Sequence, residues 1–203
     1  MTDSIRLGIP DFRLEPGDHV CALYLGSKER DEVLLPYLRE GLQAGDKCIC
    51  VLDSTDPLDV LAGTGDEIDA VASVISEQLQ LCKSTDAYLR SSWFSTDDML
   101  AFWEDSVGTA VSYGRFRFAR VAGELPWVLR NRPERDEFFR YESQLNRFVP
   151  RYPQAVLCLY DLARFGGGML VDLLKTRLKL LLGGMVLDNP HFVPPDEFLA
   201  ARQ

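Results

Sequence analysis

The chain is short of the residues and spacings that most enzyme chemistry needs. Only two histidines, His19 and His191, occur in 203 residues, and they lie far apart in sequence. The five cysteines (Cys21, Cys48, Cys50, Cys82 and Cys158) show no C-x-x-C spacing, and there is no H-x-x-x-H, so the usual zinc patterns are missing. An odd number of thiols, most of them in apolar runs, reads as buried reduced cysteine and not as a disulfide framework. No Gly-x-Ser-x-Gly elbow is present, and neither histidine has an evident Ser or Cys nucleophile next to it. No stretch approaches the ~20 apolar residues of a membrane span, and the polar N-terminus lacks a signal-type apolar run, so a cytoplasmic location is expected. A net charge of −9 opposes non-specific binding to a phosphate backbone, and no direct contact with nucleic acid or membrane is expected.

What is present is an ordinary globular composition, 46% hydrophobic and 26% charged, without a repeat, a linker or a low-complexity tract. One domain over residues 1–203 is expected. The acidic balance reverses once: nine arginines lie between Arg115 and Arg151 against five acidic residues. Such a run reads as a solvated face laced with ion pairs, a docking surface being the alternative.

The periodicities alternate between strand and helix. His19 to Leu25 reads as a buried strand, followed by a helix from Lys28 to about Gln43 with Ser27 as its N-cap and Gly45 past its end. Lys47–Leu52 is a second apolar strand, and a short strand is expected at Leu79–Cys82. Thr96 reads as the N-cap of a helix running to about Tyr113, and Phe116 to Ala122 as a strand broken by Gly123-Glu124-Leu125-Pro126-Trp127. Pro133 opens a helix to about Phe148, Ala155–Tyr160 is a fully apolar strand, and the Gly166–Gly168 triplet precedes a helix over Met169–Lys175. Lys179–Leu187 reads as one last strand, with a small terminal helix over Pro195–Ala201. Trp93, Phe94, Phe102 and Trp103 read as core. Strands apolar on both faces predict a mostly parallel sheet between helical layers, a three-layer α/β architecture.

In such sheets ligands bind at the carboxyl ends of the strands. Asp53, Glu124 and Asp161 stand there, and the Leu25–Glu29 loop follows the first strand at the same edge. A phosphate loop of the G-x-x-x-x-G-K-[ST] type is missing: one glycine is present, and Glu29, Arg30 and Asp31 stand where phosphates would lie. Hydrolysis of ATP by the usual route is not expected. His19 and Cys21 point to one face of their strand and, with Cys158, form a weak candidate for a soft metal; a structural histidine among buried thiols is the plainer reading.

Several spaced segments, in order, carry a family resemblance. Gly17 to Tyr24 and Tyr37 to Lys47 resemble the start of the MEDS domain, the sensory domain of methanogens and methylotrophs named for a dichloromethane-dehalogenase regulator. The likeness continues through Gly123–Trp127, Tyr141–Asn146, Leu157–Asp161 and Asn189–Phe192, covering about residues 15–198. That family is similar to RecA/KaiC domains, and the resemblance implies a RecA/KaiC-like fold. It also implies sensing of small organic molecules, or regulation beside anti-sigma, STAS or DNA-binding modules, with no cofactor. One departure is Lys175-Thr176-Arg177, where the family carries a histidine. The expectation is therefore a non-enzymatic regulatory domain that contributes to transcriptional or stress signalling. Its ligand would lie near Tyr24, Glu29, Arg30, Asp53, Arg120, Glu124, Trp127 and Asp161; Glu124 and Asp161 would supply polar specificity, and Tyr24 and Trp127 apolar walls. The alternatives are a divergent nucleotide hydrolase, with Glu124 as base and Arg120 or Arg177 on phosphate, and a pure interaction module docking through its arginines. Self-association is left open.

Overall fold

The computed structural model describes residues 5–6, 13–88, 93–131 and 135–201. A two-residue pair, β1 (Ile5–Arg6) and β2 (Arg13–Leu14), precedes the main sheet. The chain then runs β3 (His19–Tyr24), α1 (Gly26–Ala44), β4 (Lys47–Leu52), α2 (Pro57–Gly63), α3 (Ala70–Ile75), β5 (Leu79–Lys83) and α4 (Ser84–Ala87). It continues through α5 (Thr96–Trp103), a π-turn (Glu104–Gly108), α6 (Thr109–Ser112), β6 (Ala119–Glu124), α7 (Trp127–Asn131) and α8 (Arg135–Phe148). Last come β7 (Gln154–Asp161), α9 (Gly167–Lys175), β8 (Lys179–Leu182), β9 (Met185–Asp188) and α10 (Pro195–Ala200).

The sheet order is β5-β4-β6-β7-β3-β8-β9, parallel throughout except for the β8–β9 pair. Side chains alternate across each strand, so the two faces build two cores. Cys48, Cys50, Leu157 and Leu159 pack under α1, where Leu34, Tyr37 and Leu38 are fully buried. Ile49, Val51, Val156 and Cys158 pack on the other face against Trp103, Phe138, Phe139 and Leu145 of α5 and α8. This is the expected three-layer α/β fold.

Helix α1 ends in Gly45 at φ +77°, whose amide caps Gly41 and Leu42, as its sequence position predicts. Its packing depends on Gly41: a methyl there would stand 2.5 Å from Arg120 Cδ and 2.7 Å from Cys48 Sγ.

Several boundaries differ from expectation, each for a local reason. Helix α1 starts at Gly26, not after Ser27, because Glu29 reaches back to the Leu25 amide at 2.8 Å and no side chain at the N-cap does so. Ser95, not Thr96, caps α5, and Thr96 is instead bonded to Glu137 through its own amide. Strand β6 begins at Ala119 and runs through Glu124, since its ladder to β7 continues to the Glu124–Leu159 pair. The predicted last strand is a hairpin, turned by Gly183 and Gly184, which both hold positive φ. Phe94, Phe102 and Trp103 are core as expected, but Trp93 is 68% exposed. The expected role of Pro133 lies outside the described residues.

Candidate functional site

The carboxyl ends of β3, β6 and β7 meet the first turn of α1. Gly26, at φ +72°, lets the chain leave β3 and enter the helix within one residue, a conformation that favours glycine. The positive end of α1 is met by carboxylate oxygen from its own chain, through the Glu29–Leu25 bond. Arg30, the next residue, holds Asp31 at 2.7 Å and Glu124 at 3.4 Å while remaining 9% exposed.

Glu124 is fully buried. One of its oxygens accepts the amides of Asp53, Ser54 and Thr55 at 2.7, 2.9 and 3.3 Å. The other accepts the Thr55 hydroxyl at 2.5 Å and faces Arg30. It anchors the turn leaving β4. Tyr24 is buried beside it, and burial together with Glu124 and Asp161 pushes the phenol well above its usual range. Asp161 accepts the Ala163 amide at 3.0 Å, a turn role, and Leu162 donates to the Tyr24 carbonyl at 2.8 Å. Tyr24, Glu29, Arg30, Glu124 and Asp161 thus converge on one corner. Leu25 opens it to solvent at 54% exposure.

Other expected residues lie elsewhere. Asp53 follows β4 directly but faces the other side of the sheet, held by Arg130 at 2.8 Å and the Ser84 hydroxyl at 2.7 Å. Arg120 sits near the amino end of β6, 1% exposed and paired with Asp46 at 2.8 Å. Trp127 is fully buried, stacked on Tyr88 at 4.6 Å and tilted against Phe94. Neither Arg120 nor Trp127 joins the corner. Seven of the nine arginines of the basic run are ion-paired within the chain: Arg115, Arg120, Arg130, Arg135, Arg140, Arg147 and Arg151 each meet a carboxylate. A groove of about 700 Å³ opens beside the sheet edge, between Glu77, Tyr113 and Arg115. It adjoins the amino ends of β4 and β5 and shares no residue with the corner.

The third constellation is interior, between β3, β7 and α8. His19, Cys21 and Cys158 share the face that α8 covers, with Cys21 directly across from Cys158 in the ladder. His19 Nδ1 lies 2.8 Å from Asn146 Oδ1, and Nε2 lies 3.2 Å from Cys158 Sγ. Asn146 spends its amide hydrogens on the Glu142 and Thr176 carbonyls at 3.3 and 2.8 Å, which leaves its oxygen as acceptor for His19. Burial, reinforced by the charge of Arg177, holds His19 well below its usual pKa, and burial drives both thiols upward, Cys21 to about 12. Glu142 is ion-paired with Arg177, both fully buried, and accepts the Tyr160 hydroxyl at 3.0 Å. Glu142 and Asn146 were not singled out from sequence, although a Glu and an Asn four apart on the apolar face of an amphipathic helix were a readable signal.

With this geometry in place, comparisons identify the lineage. The family model described as the methanogen/methylotroph, DcmR sensory domain (MEDS) matches residues 18–176. The chain belongs to the MEDS family. The transcriptional repressor DcmR of Methylorubrum extorquens (strain DSM 6343 / CIP 106787 / DM4) is 29% identical over 160 residues, covering 78% of this chain. The chain spans only 57% of the length of that relative. A crystal structure of a KaiC-like protein from the hyperthermophilic archaeon Pyrococcus horikoshii OT3 superposes with a TM-score of 0.64 at 13% identity, over 90% of this chain and 81% of that one. At that identity the likeness speaks for the RecA-like fold. MEDS membership makes the chain a sensory type of domain. No helix among the described residues is long and apolar enough to cross a membrane.

Proposed function

We propose that this MEDS chain acts as one non-enzymatic sensory unit, which binds a small organic ligand at the corner where β3 enters α1 and passes the signal to a regulatory partner. The observation that carries the reading is the Glu29 carboxylate on the Leu25 amide, at the helix end where a RecA-type phosphate loop would cradle anions. A nucleotide's terminal phosphates would meet the Glu29 and Asp161 carboxylates there and find the Leu25 amide already taken. The same acids favour a neutral or cationic organic molecule. Leu25 supplies apolar contact, and Tyr24 and Asp161 supply polar contact. Glu124 supports the corner from beneath through Arg30 and the Asp53–Thr55 turn.

The hydrolase alternative has less support. Both oxygens of Glu124 are occupied, and Arg177 is fully buried, so neither is placed to attack or bind a phosphate. Docking through the arginine run is weakened by its internal ion pairs. DcmR is a transcriptional repressor longer than this chain, which supports coupling to a DNA-binding module as the regulatory output. Ligand binding shifts such an output only by favouring one of two conformations.

Thermal denaturation in the presence of a panel of small amines, alcohols and amides tests the proposal. A stabilising shift that Asp161→Asn and Tyr24→Phe each abolish supports the corner. A shift that survives both variants, or no shift across the panel, contradicts it.

A further inference from the structure

The interior constellation has the makings of a metal site. A ring nitrogen of His19, Cys158 Sγ and a Glu142 carboxylate oxygen all lie within 4.8 Å of one another, and all three residues are buried. A tetrahedral ion with ligand bonds of about 2.0–2.3 Å sets its donors roughly 3.3–3.8 Å apart, so the three need only small adjustments to share one ion. The histidine is already oriented for the task. Because Asn146 gives both amide hydrogens to backbone carbonyls, its oxygen must accept, and His19 Nδ1 must be the donor. That leaves the lone pair on Nε2, aimed at Cys158, while Nδ1 donates to an amide oxygen, as the far nitrogen of metal-ligating histidines usually does.

We propose that His19, Cys158 and Glu142 form a buried site for a soft divalent cation of the zinc type, completed by the cross-strand Cys21, whose sulfur lies outside the 4.8 Å group and must turn inward when the ion binds. The ion would tie β3, β7 and α8 to one another. Its occupation displaces one proton from each thiol. The charges then close: a dication and the Arg177 guanidinium balance two thiolates and the Glu142 carboxylate, so burial leaves no net charge uncompensated. The two oxygens of Glu142 have separate partners, Oε2 pairing with Arg177 and Oε1 accepting the Tyr160 hydroxyl. An independent sign points the same way. Arg177 Nε is fully buried with no hydrogen-bond partner among the described residues, and Cys21 is close enough to interact with that guanidinium electrostatically. A thiolate at Cys21 would place a negative charge near that guanidinium. The sensory reading above does not depend on this site.

The test is cobalt(II) titration of the full chain after chelator treatment, with zinc content measured on the protein as purified. The expected result is one cobalt per chain, a thiolate-to-cobalt charge-transfer band in the near ultraviolet, and displacement of that band by zinc. Cys158→Ser and Cys21→Ser should each weaken cobalt binding at least tenfold and reduce the band. Cys48→Ser and Cys50→Ser, on the opposite face of the sheet, should leave it unchanged. If the site variants fail to fold, the wild-type stoichiometry and band together with the Cys48 and Cys50 controls decide. Absence of a stoichiometric thiolate band in wild type, or a band that persists undiminished in Cys158→Ser, overturns the proposal.

Discussion

Replacing Glu124 by glutamine is the sharpest single probe of how the ligand corner is held. The substitution keeps shape and removes a charge. In the native chain the carboxylate accepts three backbone amides and one hydroxyl and faces Arg30. A glutamine can present one oxygen only. Its amide group, placed at the other position, points hydrogens at donors, either the Asp53–Thr55 amides or the Thr55 hydroxyl and Arg30. At least one charge-assisted bond, at roughly 1.5–3 kcal/mol, becomes a donor–donor contact. Arg30, mostly buried, loses part of its counter-charge, although Asp31 at 2.7 Å retains some. Together these effects predict a loss of about 3–4 kcal/mol. For a chain of this size that lowers the thermal midpoint by roughly 6–16 °C. Urea denaturation followed by far-ultraviolet circular dichroism reads the free energy directly. A loss below about 1 kcal/mol would refute the view that Glu124 is an internal anchor, and would return it to the ligand-facing role its sequence position suggested.

Three further outcomes follow from other parts of the molecule. Asp46→Ala removes the carboxylate that lies 2.8 Å from the buried Arg120 guanidinium and should cost about 3–5 kcal/mol by urea denaturation, since breaking one side of a buried ion pair is strongly destabilising. Gly41→Ala adds a methyl 2.5 Å from Arg120 Cδ; the gain in helix propensity, up to ~1 kcal/mol, should be outweighed by overpacking of about 1–3 kcal/mol, giving a lower thermal midpoint. His19 stays neutral when folded while an unfolded chain protonates it below its ordinary value of 6.5, so stability should be lost as the pH falls below that value. The slope is about 1.4 kcal/mol per pH unit, read by urea midpoints between pH 7 and 5 and reduced in His19→Gln.

The sheet was legible because its strands are apolar on both faces, a pattern only a covered parallel sheet explains. KCICVL and AVLCLY needed no tertiary information. The corner was half legible. Tyr24, Glu29, Arg30, Glu124 and Asp161 could be placed at strand ends from sequence, and they do meet. What sequence could not show is direction along and across a strand. Arg120 is only four residues before Glu124 and on the same face, yet lies one strand length from the corner and serves Asp46 instead. Trp127 follows Glu124 closely but turns into the opposite core, because α7 begins there. Local capping was misread for a related reason. Ser27 and Thr96 have the right chemistry for N-caps, but Glu29 and Ser95 reach the amides first. The interior cluster was half legible: His19, Cys21 and Cys158 could be grouped from their strands, although His19 and Cys158 are separated by 139 positions, whereas Glu142 and Asn146 come from a helix whose packing on that face only the fold reveals.

The central claim is that the helix end where a RecA relative would hold phosphate is closed by the chain's own carboxylate, leaving a sensory corner and not a nucleotide site. Calorimetric titration of the full chain with magnesium–ATP tests this most directly. The account predicts no saturable heat at millimolar nucleotide, and saturable binding with micromolar affinity that weakens in Arg30→Met would contradict it.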